Sequence, residues 1–285
     1  MTLVHALTMT ALALWLCGVL PEAASAQQRP FSTEDPETVG AGRIMLESGF
    51  DYDRSVTFSP SGLTGHLLAV PTLGISVGIS SIAEVQIDGG VWQRLSITDR
   101  VPAPLTSALA ITGDRTTSVR DLIVATKVRV IGETASRPSL AVRMATRIPS
   151  ASAESGLGKD ATEFNGSLLV AKSVDNARIV ANVGFIMLED AVRPARQDDL
   201  LTYGLSVAAS LGHGAEVVAE VNGRANFNPH VVRGSESRGV LRVGSRVTRG
   251  TVRLDAAAVV GMTDVDPRIG FTAGFTWVFD AFTIP

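Results

Sequence analysis

Cysteine is nearly missing from this 285-residue chain: the only one, Cys17, lies in an apolar N-terminal stretch. The remainder can form neither a disulfide nor a thiolate metal site. An excess of either charge is missing too. Lys and Arg number 25 against 28 Asp and Glu, a net charge of −3. That excludes the basic footprint of a nucleic-acid binder and a polyacidic tail, so no nucleic acid is expected as a partner. Beyond the N-terminus no apolar run reaches the roughly 18–20 residues of a membrane-spanning helix. Aromatic residues are scarce at 5%, fewer than the girdles of membrane barrels usually carry. Outside the N-terminal stretch histidine occurs only as His66, His213 and His230, without the clustering or i, i+2 spacing of a metal site. No serine accompanies a histidine on an outward face, as a barrel hydrolase would need. Gly156 to Gly158 and Gly212 to Gly214 do not lie between a strand and a helix, so they read as turns and not phosphate cradles. Catalytic residues, metals and cofactors are therefore not expected.

Residues 1–26 read as a secretory signal. An apolar core runs from Ala11 to Leu20, and Ala24, Ser25 and Ala26 supply a small-residue cleavage pattern that places the cut between Ala26 and Gln27. The n-region departs from type in having no Lys or Arg. Residues 27–42 hold Pro30, Pro36, Gly40 and Gly42 and read as a periplasmic lead-in.

From residue 43 to 279 the apolar residues alternate with a period of two, which marks β-strands. Ile269, Phe271, Ala273, Phe275, Trp277 and Phe279 fall on one face, and small or mildly polar residues fall on the other. Similar segments begin at Arg43, Leu63, Ala83, Val119, Leu140, Phe164, Arg178, Leu200, Glu216, Gly239 and Thr251. Short connections alternate with long polar ones such as Leu95 to Ser118 and Pro149 to Thr162. An even strand number, about twelve, with short turns on one side and long loops on the other, predicts an all-β, antiparallel transmembrane β-barrel of the outer-membrane type. Pro71 interrupts the second segment, since proline cannot donate to a ladder. The apolar alternation nevertheless continues from Leu63 through Leu73 to Ile79, which predicts one long strand with Leu63, Leu67 and Ala69 facing lipid and His66 facing inward.

The inward faces carry the charges. Glu47, Asp51, Glu84 and Asp88 form an acidic wall on the first and third strands. Lys127, Arg129, Arg143 and Arg147 form a basic wall on the fourth and fifth. Glu220, Arg224, Arg242, Arg246 and Arg253 follow on later strands, with Asp255 beside the last. With His66 these are the expected lumen-lining, binding residues. Twelve strands lie between a barrel filled by its own side chains and an open aqueous channel. Two readings follow. In one, the facing walls set a transverse field at the constriction of a small-solute channel. In the other, the charges pair and plug a structural or adhesion barrel that acts through its long loops.

Three stretches also carry a family resemblance: RPFSTEDPETVGAG from Arg29 to Gly42, PTLG from Pro71 to Gly74, and IPSASAESGLG from Ile148 to Gly158. In these the chain resembles outer-membrane transporters linked to the meta-pathway of phenol degradation. The resemblance implies a transport barrel without catalytic residues, moving a small solute that is aromatic or anionic. The partners expected are outer-membrane lipids and the barrel-assembly machinery, which would read the last strand. That strand should close against the first, with Trp277 and Phe279 at the periplasmic interface. Residues 280–285 continue beyond it as a tail in which Phe282 breaks the aromatic parity.

Overall fold

In the computed structural model, which describes residues 29–189 and 197–283, twelve strands close into one antiparallel barrel. They are β1 (Arg43–Phe58), β2 (Leu63–Gly78), β3 (Ala83–Arg100), β4 (Arg115–Ile131), β5 (Ser139–Ile148) and β6 (Glu163–Val174), followed by β7 (Ala177–Glu189), β8 (Gln197–Gly212), β9 (Ala215–Ala225), β10 (Arg238–Arg249), β11 (Val252–Gly261) and β12 (Ile269–Asp280). Each pairs with its neighbours in sequence, and β12 returns to β1 with Phe279 opposite Ile44 and Trp277 opposite Leu46. Closure leaves no strand edge unpaired, which a membrane interior requires. Leu73, Ile87, Val128, Met144, Phe185, Leu205, Val243, Leu254 and Phe271 point outward and are exposed. In water this band would be an anomalous apolar patch; against lipid it is the seated surface of the barrel. The expected signal segment and its Ala26/Gln27 junction lie outside the described residues, as do residues 190–196 of one long connection.

The strands are unequal. β1 to β4 have 16, 16, 18 and 17 residues and β8 has 16, whereas β5, β9 and β11 have 10, 11 and 10. The first four extend past the lipid band at the long-loop end. Leu95 to Ser118 is therefore not a loop as expected: β3 runs on to Arg100 and β4 begins at Arg115, and only the connection between them, with a 3₁₀ turn at Thr106–Ala108, is irregular.

Each extension begins at an irregularity in the ladder. Between β1 and β2 the register shifts between Gly49 and Asp51, facing Val70 and Pro71, and again between Asp53 and Val56. Between β3 and β4 it shifts on both sides of Gly90. A bulge adds an unpaired residue and reverses which face the following side chains take. β2 is one strand through Pro71, but its parity does slip there. Below the slip Thr72, Gly74, Ser76 and Gly78 point inward; above it Leu63 and Ala69 are the buried ones. Leu63 joins Val56, Leu95 and Leu157 in a small core beneath the long loops, with Phe58, Leu67, Ile97, Leu109 and Ile111 against it. His66 accordingly takes the face opposite Leu63 and Ala69 and is not in the lumen; its Nδ1 accepts the Ser55 N–H at 3.3 Å.

The largest departure concerns residues 29–42. They are not a periplasmic lead-in. From Gly42, whose N–H donates to the Gly78 carbonyl at 2.9 Å, the chain turns back into the barrel. Val39 is buried with Met45 and Val278, and Thr33, Glu34 and Asp35 are buried inside the wall. Two prolines and a run of acidic residues make this stretch a poor strand, and acidic groups inside a barrel need partners. The wall supplies them.

Candidate functional site

The N-terminal segment runs around the inside of the barrel at the short-turn end and meets most of the strands in turn. Near β3 the Val39 N–H donates to Glu84 Oε2 at 2.6 Å. Glu37 pairs with Arg129 of β4. Asp35 takes both Nε and Nη2 of Arg178 on β7, and Arg178 also reaches Glu133 in the turn after β4, at 2.9 Å. Glu34 lies 2.9 Å from Arg143 Nε and 3.4 Å from Lys127 Nζ, and accepts from Gln86. Lys127 is fully buried and completes its shell with Glu84 at 3.0 Å and the Asp35 carbonyl at 2.9 Å. Further round, the Ser32 and Thr33 N–H groups and the Thr33 hydroxyl all donate to Glu220 of β9, which Arg242 braces at 3.0 Å. The Phe31 ring sits 5.6 Å from the Arg246 guanidinium.

The ring closes at Arg29. Its N–H donates to Glu47 at 3.2 Å, and its guanidinium donates to Thr72 at 3.3 Å and Thr272 at 3.0 Å and lies 3.4 Å from Asp255. Small residues on the inner face make room for it. A Cβ at Gly274 would stand 2.6 Å from Arg29 Nε, and one at Gly204 would stand 2.7 Å from the Thr33 hydroxyl.

Electrostatically the segment is the counterion of the wall. Burial raises the Glu34 pKa, but the charges of Arg143 and Lys127 outweigh that and hold it below the ordinary carboxylate value. Burial acts the same way on Glu133, and the Ser173 N–H with Lys172 and Arg178 brings it down to about 2. Of the basic wall on β4 and β5, Lys127 and Arg143 are answered by Glu34 and Arg129 by Glu37 of the segment, whereas Arg147 is met by Glu163 and Asp121 of the strands. Of the acidic wall, Glu84 does meet the basic wall, at Lys127, while Glu47 is bonded by Arg29 and Thr276 and Asp51 pairs with Arg120 at 2.6 Å. Asp88 lies 3.8 Å from Arg143. Arg246 and Arg253 both approach Glu216, at 2.7 and 3.8 Å. Of the residues expected to line the lumen, all but His66 face the interior.

Above the segment the lumen is not filled. A cavity of about 320 Å³ lies among Arg143, Arg147, Asn165, Tyr203 and Asn222. Another of about 360 Å³ lies among Asp51, Asp88 and Arg120. Ser32 and Glu34 form part of the floor of both. A third, about 260 Å³, sits at the long-loop mouth and shares Arg147 and Glu163 with the first. The part that sequence reasoning missed is the segment itself. The signal was the acidic run Glu34, Asp35 and Glu37, which complements the surplus of cations on β4 and β5.

A closed, even-stranded antiparallel barrel with an apolar outer band, a charged interior and short turns at one end defines an outer-membrane barrel. No protein-family model matches the sequence, and no curated protein matches it either. Among solved structures the chain is similar to an outer membrane channel from Pseudomonas putida F1, with a TM-score of 0.61 at 12% identity over 86% of this chain and 98% of that one. It is more distantly similar to the NanC porin, with a TM-score of 0.49 at 8% identity over 85% and 100% of the two chains. The translocator domain of autotransporter NalP from Neisseria meningitidis follows at 0.47 and 13%, over 84% and 89%. At such identities the likeness is one of fold.

Proposed function

We propose that this protein is a bacterial outer-membrane channel for small solutes, narrowed at its periplasmic end by its own N-terminal segment. One observation carries the reading. The lower lumen is closed by a separate stretch of chain clasped by charged side chains of the strands, while polar cavities continue from the loop mouth down to that stretch. A barrel built only as a scaffold has no need of a polar interior with a separate closing piece. The likeness of fold to an outer membrane channel, and the resemblance of Arg29–Gly42 and Pro71–Gly74 to transporters linked to phenol degradation, support the same reading. On this account the chain is exported by a signal removed between Ala26 and Gln27, the assembly machinery inserts it, and its outer band meets outer-membrane lipids.

Purified protein in planar bilayers tests the proposal. Small unitary currents are expected. If currents are absent from the full-length protein and also from a form lacking residues 29–39, the channel reading fails. A barrel acting through its loops would then stand, and shortening the connections at residues 101–114 and 149–162 would abolish partner binding.

A further inference from the structure

The cavity at the long-loop mouth contains two cations, Arg224 and Arg238, that no carboxylate of the described residues contacts directly. Arg147, Lys159, Arg224 and Arg238 line it, with Glu163 and Asp121 as its only carboxylates among the described residues. Those two carboxylates are already engaged. Glu163 lies 3.3 Å from Arg147 and also pairs with Lys159. Asp121 lies 3.9 Å from Arg147 and accepts the N–H groups of Ser150 and Ala151. Arg224 and Arg238 form no salt bridge among the described residues. Glu236 and Asp266, the nearby acids, accept backbone N–H groups from Gly234 and Gly239. Arg224 donates to the Gly234 and Glu236 carbonyls, and Arg238 to the Thr57 carbonyl. The buried Arg238 Nε has no partner.

The two arginines are also directly opposite each other in the β9–β10 register. Like charges placed so destabilise a sheet, and Glu236 and Asp266 act on them only through space, so their guanidinium donors are left without a directly bonded anion. A guanidinium presents five donors, of which the carbonyl contacts use a few. The opposite side of the same cavity is apolar, formed by Phe58, Pro60 and Leu157. We infer that this mouth cavity is a binding site for small organic carboxylates with an apolar body. The carboxylate would sit between Arg224 and Arg238, which suit its planar geometry, and the body would rest against Phe58 and Leu157. The assignment names the solute class of the channel proposed above and rests on that reading for its role.

Equilibrium binding in detergent micelles tests it without relying on conductance, so the site can fail while the channel stands, and the reverse. The probes are cyclohexanecarboxylate, its methyl ester and inorganic phosphate, measured by calorimetry on the full-length folded barrel. Saturable binding of the carboxylate is expected, weakened by added salt, with the ester and phosphate both markedly weaker. Arg224→Gln and Arg238→Gln should each weaken it by about tenfold or more, the cost of a lost charge-assisted hydrogen bond. Both variants should keep the heat-modifiable gel shift of a folded barrel. Their unfolding midpoints without ligand should fall little, because relief of two opposed like charges offsets the carbonyl bonds that are lost; added cyclohexanecarboxylate should raise the midpoint of the unaltered protein and not of the variants, which a purely structural role would not produce. If a variant does not fold, Arg238→Lys, which keeps the charge and loses the fork, must show intermediate affinity. No binding, binding unaffected by these substitutions, or phosphate binding as tightly as the carboxylate would each overturn the assignment.

Discussion

The two ends of the lumen are lined with the same kinds of residue and behave differently. At the short-turn end Lys127, Arg129, Arg143 and Arg178 are all met by carboxylates of the N-terminal segment or of neighbouring strands. At the mouth Arg224 and Arg238 have backbone carbonyls and no carboxylate partner among the described residues. The lower set is bonded directly to carboxylates, even where Arg143 borders a cavity. The upper set borders a cavity with no carboxylate bonded to it. Charge alone therefore does not say whether a barrel is plugged or open. What decides is whether the chain supplies the counterion or leaves the position for something that arrives.

That contrast can be broken from below. Removing residues 29–39 takes away the ring at the short-turn end, and single-channel conductance is expected to rise severalfold. An unchanged conductance would mean that the segment is not the constriction. Next in size is Lys127→Met. It strands Glu84 inside the wall and leaves Glu34 with Arg143 alone, and breaking a buried charge cluster in this way costs on the order of 3–5 kcal/mol, readable in urea unfolding of the folded barrel. A smaller effect is expected from acid. Glu34 has a depressed pKa, so its contribution to holding the segment is complete above the ordinary carboxylate value of 4.5 and is lost as pH falls through the depressed one. Protease cleavage of the segment in micelles should therefore speed up as pH drops below 4.5, using an acid-active protease. The smallest effect sharpens the comparison from above. Arg120 and Asp51 pair at 2.6 Å but are partly solvated, so Arg120→Gln should cost less than about 1 kcal/mol.

Much of the fold is legible in the sequence because lipid imposes a simple rule. Every second residue of a spanning strand must be apolar, and the rule holds from Ile44 to Phe279 well enough to count twelve strands. The rule gives no help above the lipid. Leu63, Leu67 and Ala69 continue the alternation of Leu73 and Ile75, yet they face the opposite way, Leu63 and Leu67 into a core with Leu157. An apolar stripe against lipid and one against a folded loop look alike as letters, and the bulge between them changes parity without changing composition. That change of parity turns His66 away from the lumen. The inward charges below the bulges are legible, since a charge on a spanning strand has only one face open to it. Their partners are not, because an aperiodic segment such as Arg29 to Gly42 carries no sign of where it lies.

The ring formed by that segment has a consequence for assembly. Arg29 holds Thr272, 243 positions away, and Thr33 holds Glu220, 187 positions away. Contacts so distant in sequence form late. The seat of the segment comes into being only when the last strand has joined the first, so the stretch that is synthesised early must wait for the end of the chain before it has anywhere to go. A probe that reports its docking would act as a clock for barrel closure, started by the membrane and stopped by the twelfth strand.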